Sequence, residues 1–424
     1  MSSSGEWASK LLVRHKANVF LFDDNRELLN SKPIKNCFLL QELSESLIMQ
    51  FDLIVVSPSI EKENQYLQFA YEKDIPIMSE LELASAFCKN YVAITGTNGK
   101  TTTTELVTSI LKKRYNAIAC GNIGYPVSRA VIEHKHSIKV IEVSSFMLEH
   151  ADSFAPHVAT ILNITPDHLV RHKTMEEYST LKKSIFKNLS KRDYAVINLD
   201  DNIHTTKDSL VVTYSHKHSA DVYLKDGYIY LHQHKLVAVN ELHLKGKHNL
   251  QNVMCAVCFG YIYKVKPQDI RETLIEYMPE RYRIEELGSV SGINFVNDSK
   301  STNISSTLAC VDTIKGPIIL LAGGSKKDLD YKQLVSRMSK RVKFVICFGE
   351  IKEELASACG EKFKTIVCEN LKEAFSSATE IAKKGDSVVL SPASASYDQY
   401  SSYIERGKEF NKLVQEYEIS TSQK

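Results

Sequence analysis

Gly96, Gly99, Lys100 and Thr101, within "VAITGTNGKTTTTELVTSIL" (92–111), are suited to holding a phosphate. Glycines let a backbone curl until its N–H groups face one point. Lys100 reaches toward terminal phosphates, Thr101 offers a hydroxyl to Mg²⁺, and the helix that opens there adds its positive end. The spacing is not the common G-x-x-x-x-G-K-[ST], because Ile94 stands six before Lys100. Glu142 closes the apolar run "IKVIE", where a carboxylate can hold Mg²⁺ or its water; a solvated strand end is the plain alternative. His168 follows the strand "VATILNIT" and reads as a ligand only if it shares a site with Glu142.

Lys182 lies four residues after Tyr178 and four before Phe186, on or beside the apolar stripe of "TMEEYSTLKKSIFKNL", with Lys183 more outward. A lysine there must be paired, modified or able to snorkel, and pattern alone favours snorkelling. Thr174 and Glu177 fit a capping box at the start of this helix. Asn249 and Asn252 in "HNLQN" are one helical turn apart and can face one site, although Asn249 also suits a cap. Cys255 and Cys258 form a C-x-x-C without a second pair at zinc spacing, and the nine cysteines read as reduced core residues.

These side chains need a frame. At 424 residues the chain exceeds what one core usually supports, so two or three domains are expected. Short β-branched runs alternate with helical stretches: "NVFLFDD", "DLIVVSP", "YVAITG", "IKVIEVSS", "VATILNIT", "YAVINLD", "GPIILLAGG", "VKFVICFGE" and "SVVLSPASAS" each read as a buried parallel strand. This is the α/β pattern, with ligands at the carboxyl ends of strands. Residues 205–245 alternate instead and carry a turn at Asp226 and Gly227, which reads as an antiparallel hairpin region. Pro279 marks the break before a last unit. The net charge of +2 gives no reason to expect nucleic-acid binding, and no apolar run reaches the length of a membrane span. The start lacks the apolar core of a signal peptide, so a cytoplasmic enzyme is expected.

Six motifs in order, "TGTNGKTTT", "GNIGYP", "EVSSFMLE", "NITPDHLVRH", "HNLQN" and "NDSKSTN", resemble the Mur ligase family of ATP-dependent amino-acid ligases in peptidoglycan precursor synthesis. That family uses G-T/S-N-G-K-T/S, which accounts for Ile94. "SPASASYDQYSSYIERGKEF" looks like its D-glutamate-adding branch. The resemblance implies three domains: a Rossmann-like N-terminal domain (1–90), a central P-loop mononucleotide-binding domain (91–280) and a C-terminal Rossmann-like domain (281–424). It implies a monomer whose domains close before chemistry, with no nucleic acid and no membrane insertion. The implied reaction joins D-glutamate to UDP-N-acetylmuramoyl-L-alanine through an acyl phosphate, with ATP and two Mg²⁺ ions. Another Mur ligase or a folylpolyglutamate synthetase would share the ATP motifs, and the C-terminal signature argues for D-glutamate addition. A degenerate regulator would have lost some of Lys100, Glu142, His168, Lys182 and Lys300.

Carried over by position, Gly96, Thr97, Asn98, Gly99, Lys100, Thr101 and Thr102 hold ATP phosphates, with Asn249, Asn252, Arg283 and Asp298 completing the ATP site. Thr101 and Glu142 serve one Mg²⁺. His168 and Lys182, the latter as a carbamate formed with CO₂, serve the second. Carbamylation turns a buried cation into an anion, which reverses the snorkelling reading. Ser4, Asp23, Asp24, Ser57, Asn122, Ser144 and His168 match contacts to the uridine nucleotide. Lys300 joins the catalytic set, and Thr302, Lys327, Ser396 and Tyr403 match contacts to D-glutamate. Departures from the family pattern gather at the uridine end: a missing first strand, Ser59 for Gly, Met147 for Gln and Val170 for an acidic residue.

Overall fold

The computed structural model describes residues 2–25, 34–201, 203–205, 208–278, 281–326 and 330–422. Lys327 and Pro279 therefore lie outside the described residues. The chain divides into two compact units, one of residues 1–164, 171–241 and 251–276, the other of 165–170, 242–250 and 277–424.

The first unit is built on a nine-stranded sheet. The strand Tyr91–Thr95, seventh in the strand order, is flanked by the parallel strands Ile138–Glu142 and Val158–Ile161. Val92, Ala93 and Ile94 are fully buried. A strand covered on both faces needs apolar residues in succession, which is what "VAI" supplies. The chain leaves this strand through helix Lys100–Lys112, continues to the edge strand Ala117–Gly121, returns to Ile138–Glu142 and then crosses to Val158–Ile161. The carboxyl ends of Val158–Ile161, Tyr91–Thr95 and Ile138–Glu142 thus meet at a reversal of strand order, where open α/β sheets bind ligands.

The sheet also corrects one expectation. Leu210–Ser215 pairs parallel with both Tyr194–Asn198 and Val222–Lys225; the antiparallel region begins only at Val222, with Tyr228–Leu231 and His234–Ala238. Alternation marks a half-buried face and says nothing about strand direction. Before residue 90 the unit holds helix Ser3–Arg14, capped by the Ser2 hydroxyl, and two parallel pairs, Val19–Leu21 with Cys37–Leu39 and Ile54–Val56 with Ile77–Ser79.

The second unit carries a six-stranded sheet in the order Glu285–Val290, Ile293–Asn297, Ser387–Ala393, Ile318–Gly323, Val342–Phe348 and Lys364–Val367. Only the first pair is antiparallel. Buried side chains on both faces form two cores, one around Leu320, Cys347 and Leu355, the other around Phe295, Phe375 and Phe410. All nine expected parallel strands are present, but Val19–Leu21 and Ile54–Val56 are only partly buried, because each lies in a two-stranded sheet. All nine cysteines are free, and Cys255 and Cys258 are fully buried, as the packing reading anticipated.

Candidate active site

In the first unit the loop Gly96–Gly99 bends on two left-handed glycines, Gly96 at φ +154° and Gly99 at φ +85°. Gly99 starts helix Lys100–Lys112. A Cβ there would lie 2.4 Å from Oδ1 of Asn252, itself 3% exposed, so the loop packs directly on that asparagine. Asn163, which the sequence reading did not single out, also holds the loop. Its Oδ1 accepts from the Asn98 N–H (2.9 Å), its Nδ2 donates to the Asn98 carbonyl (3.0 Å), and its own carbonyl accepts from Thr97 N–H (2.9 Å). Thr97 Oγ1 lies 3.1 Å from the hydroxyl of buried Tyr178.

Two lysines converge on one loop carbonyl. Lys100 Nζ donates to the carbonyls of Gly96 and Thr97, both at 2.9 Å, and Lys182 Nζ donates to Gly96 O at 3.0 Å. Lys182 is 1% exposed and reaches Thr95 Oγ1 at 3.4 Å; Lys183 faces solvent. Snorkelling is therefore corrected: the ammonium stays inside because backbone and hydroxyl oxygens receive it. The capping box is half made. Thr174 Oγ1 accepts from Glu177 N–H (3.1 Å), while the Glu177 carboxylate turns outward to Lys62.

Glu142 is 2% exposed. Its Oε1 accepts from Asn122 Nδ2 at 2.8 Å, and its Oε2 is buried with no hydrogen-bond partner among the described residues. A bare buried carboxylate oxygen is costly and fits a cation. Among the described residues no three histidine, cysteine or acidic side chains gather into a metal cluster. Mg²⁺ suits such a place, since it takes one or two carboxylates and draws the rest of its oxygens from phosphate and water.

The residues expected at the uridine nucleotide are spread along this unit. Ser57 Oγ lies 3.0 Å from Ser2 Oγ, beside Ser4 in the first turn of the helix. Asp23 Oδ1 accepts from Asn25 N–H, and Ser144 Oγ caps helix Ser145–Leu148. Asp24 is exposed. Arg171, also not singled out from sequence, joins two of these segments. It makes a two-pronged contact to Glu149, just past that helix, and donates to the carbonyls of Ile60 (2.6 Å) and Ser59 (3.3 Å). Its guanidinium lies 5.0 Å from the Phe146 ring centre.

In the second unit Asp298 is 2% exposed and accepts from Ser391 Oγ (2.7 Å) and Ile284 N–H (3.1 Å). Burial raises its pKa, against the hydrogen bonds of Ser301 and Ser391 and the nearby Arg283 charge. Arg283 is half-buried, and its Nε is enclosed with no hydrogen-bond partner among the described residues, so it is not a freely solvated arginine. Enclosure, and then Arg283, push the His248 pKa down to about 4. His168 has φ +55°. Its N–H donates to Asp167 Oδ1 (3.0 Å), and Asp167 Oδ2 accepts from Asn303 Nδ2 (3.2 Å). Asn249, 3% exposed, donates to Lys245 O (2.8 Å). Lys300 Nζ sits 5.4 Å over the Tyr403 ring, Thr302 is half-buried, and Ser396 is 2% exposed.

Residues 94–260 match the model of the Mur ligase middle domain, and residues 282–394 match that of the Mur ligase glutamate ligase domain. A UDP-N-acetylmuramoylalanine–D-glutamate ligase of Caldicellulosiruptor saccharolyticus is 37% identical, over 98% of this chain and 97% of its own. The ligase of the same name from Caldanaerobacter subterraneus is 35% identical, over 97% and 96%. Among solved structures, MurF of Thermotoga maritima in complex with ADP aligns with a TM-score of 0.63 at 18% identity, over 98% of this chain and 100% of that one. A pseudomurein peptide ligase of Methanothermus fervidus aligns with a TM-score of 0.63 at 17%, over 98% of both. The two structural likenesses speak to the fold.

Proposed function

The chain belongs to the Mur ligase family, whose members use ATP and Mg²⁺, and we propose how its residues join D-glutamate to UDP-N-acetylmuramoyl-L-alanine in peptidoglycan precursor synthesis. The observation that carries the reading is the pair of lysines on the Gly96 carbonyl, beside a phosphate loop hydrogen-bonded by Asn163 and packed on Asn252. The reaction must bring two anions together, a carboxylate and a triphosphate. The L-alanyl carboxylate attacks the γ-phosphorus and ADP leaves. The D-glutamate amine then attacks the acyl carbon, the amide forms, and phosphate departs.

Gly96, Thr97, Asn98, Gly99 and Thr102 offer the loop amides and hydroxyls, and Lys100 turns from its own loop to the phosphates. Asn249, Asn252, Arg283 and Asp298 are assigned to the rest of ATP. Thr101 and Glu142 would hold one Mg²⁺, and His168 a second; Lys182, carbamylated by CO₂, belongs to the same catalytic set. When bound, Mg²⁺ neutralises charge on the reacting anions. Lys300 is proposed to steady the transferring phosphoryl group. Thr302, Lys327, Ser396 and Tyr403 are assigned to D-glutamate. Ser4, Asp23, Asp24, Ser57, Asn122 and Ser144, with His168, are assigned to the uridine substrate. The domain division at residues 90 and 280, a monomeric state and a cytoplasmic location complete the reading. The described residues contain no helix long and apolar enough to cross a membrane.

The test is to incubate enzyme, ATP, Mg²⁺ and UDP-N-acetylmuramoyl-L-alanine with hydroxylamine and no amino acid. An acyl phosphate gives a hydroxamate together with ADP. ADP release without hydroxamate would reject that intermediate.

A further inference from the structure

Arg406 stands near the start of the C-terminal helix Tyr403–Ser422 and is completely buried. All five of its N–H donors are engaged. Nε donates to Ser299 Oγ (3.1 Å). Nη2 donates to the carbonyls of Ser299 (2.9 Å) and Ser394 (3.1 Å), and Nη1 to those of Ala395 (3.1 Å) and Gly323 (3.5 Å). The acceptors belong to three loops, which leave the carboxyl ends of the neighbouring strands Ile293–Asn297, Ser387–Ala393 and Ile318–Gly323. One planar fork therefore ties together "NDSKSTN", "SPASAS" and the start of "GGSKK".

The loops close on it tightly. Gly324 has φ +135°, and a Cβ there would lie 2.0 Å from Ala395 O and 3.0 Å from Arg406 Nη1. Among the described residues no carboxylate accepts a hydrogen bond from Arg406; Asp398 and Asp298 act on it only through space. Burial draws its pKa down to about 10, which leaves it protonated at neutral pH. Burying a charge among carbonyls is expensive, and an apolar residue would fill the space at less cost if packing were the only need.

We infer that Arg406 is the positioning residue of the amino-acid subsite: it touches no substrate, but it sets the three loops that present Lys300, Thr302 and Ser396 to one another, and it adds positive charge beneath a dicarboxylate. The inference rests on the assignment of those loops to D-glutamate. Lysine cannot replace it, having three donors at one point where five acceptors surround a plane.

The experiment uses the full-length enzyme with ATP, UDP-N-acetylmuramoyl-L-alanine and D-glutamate. Arg406→Lys, Ser299→Ala and Ser396→Ala are compared by separate KM values and by thermal unfolding. Arg406→Lys is expected to raise the D-glutamate KM about tenfold or more, with the ATP KM within about threefold of wild type. Ser299→Ala, which removes one acceptor, should raise the D-glutamate KM by about threefold, and it decides the question if Arg406→Lys does not fold. Unchanged D-glutamate KM in the folded variants, with kcat falling only as the folded fraction falls, would overturn the inference. Ser396→Ala tests the assignment beneath it. If that variant leaves the D-glutamate KM unchanged, the subsite is misplaced; if it raises KM and the Arg406 and Ser299 variants do not, only the positioning role fails.

Discussion

Replacing Lys182 with methionine separates catalysis from folding. The variant keeps an unbranched apolar chain, one atom shorter, beside Tyr178, whose ring centre is 4.8 Å from Nζ, and deletes the charge. The protein loses the 3.0 Å bond to Gly96 O and the longer one to Thr95. A hydrogen bond from a charged group is worth about 1.5–3 kcal/mol. Against this stands relief of repulsion. Both ammonium groups bond to Gly96 O, so they lie within about 6 Å of each other, and at an effective dielectric constant near 20 like charges there repel by about 3 kcal/mol. Desolvation of the buried ammonium is relieved as well. In the protein without the carbamate, stability should therefore move by less than about 1.5 kcal/mol, or roughly 2 °C in Tm. Catalysis should not be so forgiving. With the carbamate impossible, kcat should fall by about a thousandfold, near 4 kcal/mol in the barrier, and added bicarbonate should not restore it. Calorimetry and coupled ADP release on one preparation check both halves. Turnover within about tenfold of wild type would refute the carbamate argument, and a collapse of Tm would show that Lys182 is chiefly structural.

Three further outcomes are expected. Gly99→Ala places a Cβ against Asn252 at positive φ, so it should cost about 1–2 kcal/mol in the unfolding midpoint and weaken ADP binding by at least about tenfold in calorimetry. Arg171→Ala should raise the KM for the uridine substrate by about tenfold while the ATP KM holds, because it frees the Ser59–Ile60 turn from Glu149. His248 is held neutral in the fold, so the unfolded chain binds more protons below about pH 6.5 and stability must fall as pH drops from there toward 4, by up to about 3 kcal/mol. His248→Gln should flatten that part of the Tm–pH curve, and an identical slope in wild type and variant would count against the enclosure of that ring.

The parts of the fold legible in the sequence were those with continuous apolar runs. "YVAIT" and "IILLAG" are buried on both faces and can be little else than inner parallel strands. Cys37–Leu39 and Lys364–Val367 are not legible in it, because each is half-covered and short, without a clear period. The phosphate loop was legible because its function dictates side-chain types. Asn163, Arg171 and Arg406 were not, since each acts wholly or partly on backbone carbonyls or amides outside its own element, and backbone groups leave no mark in a sequence. Lys182 shows the same limit: its position on the buried face was readable, but the waiting Gly96 carbonyl, 86 residues upstream, was not.

The most direct test of the account is ADP release with ATP, UDP-N-acetylmuramoyl-L-alanine and a panel of D- and L-amino acids together with meso-diaminopimelate. The account predicts turnover with D-glutamate alone. Turnover with a different amino acid would keep the ligase chemistry and overturn the assignments of Thr302, Lys327, Ser396 and Tyr403, and no turnover with any of them, while ATP still binds, would contradict the central claim.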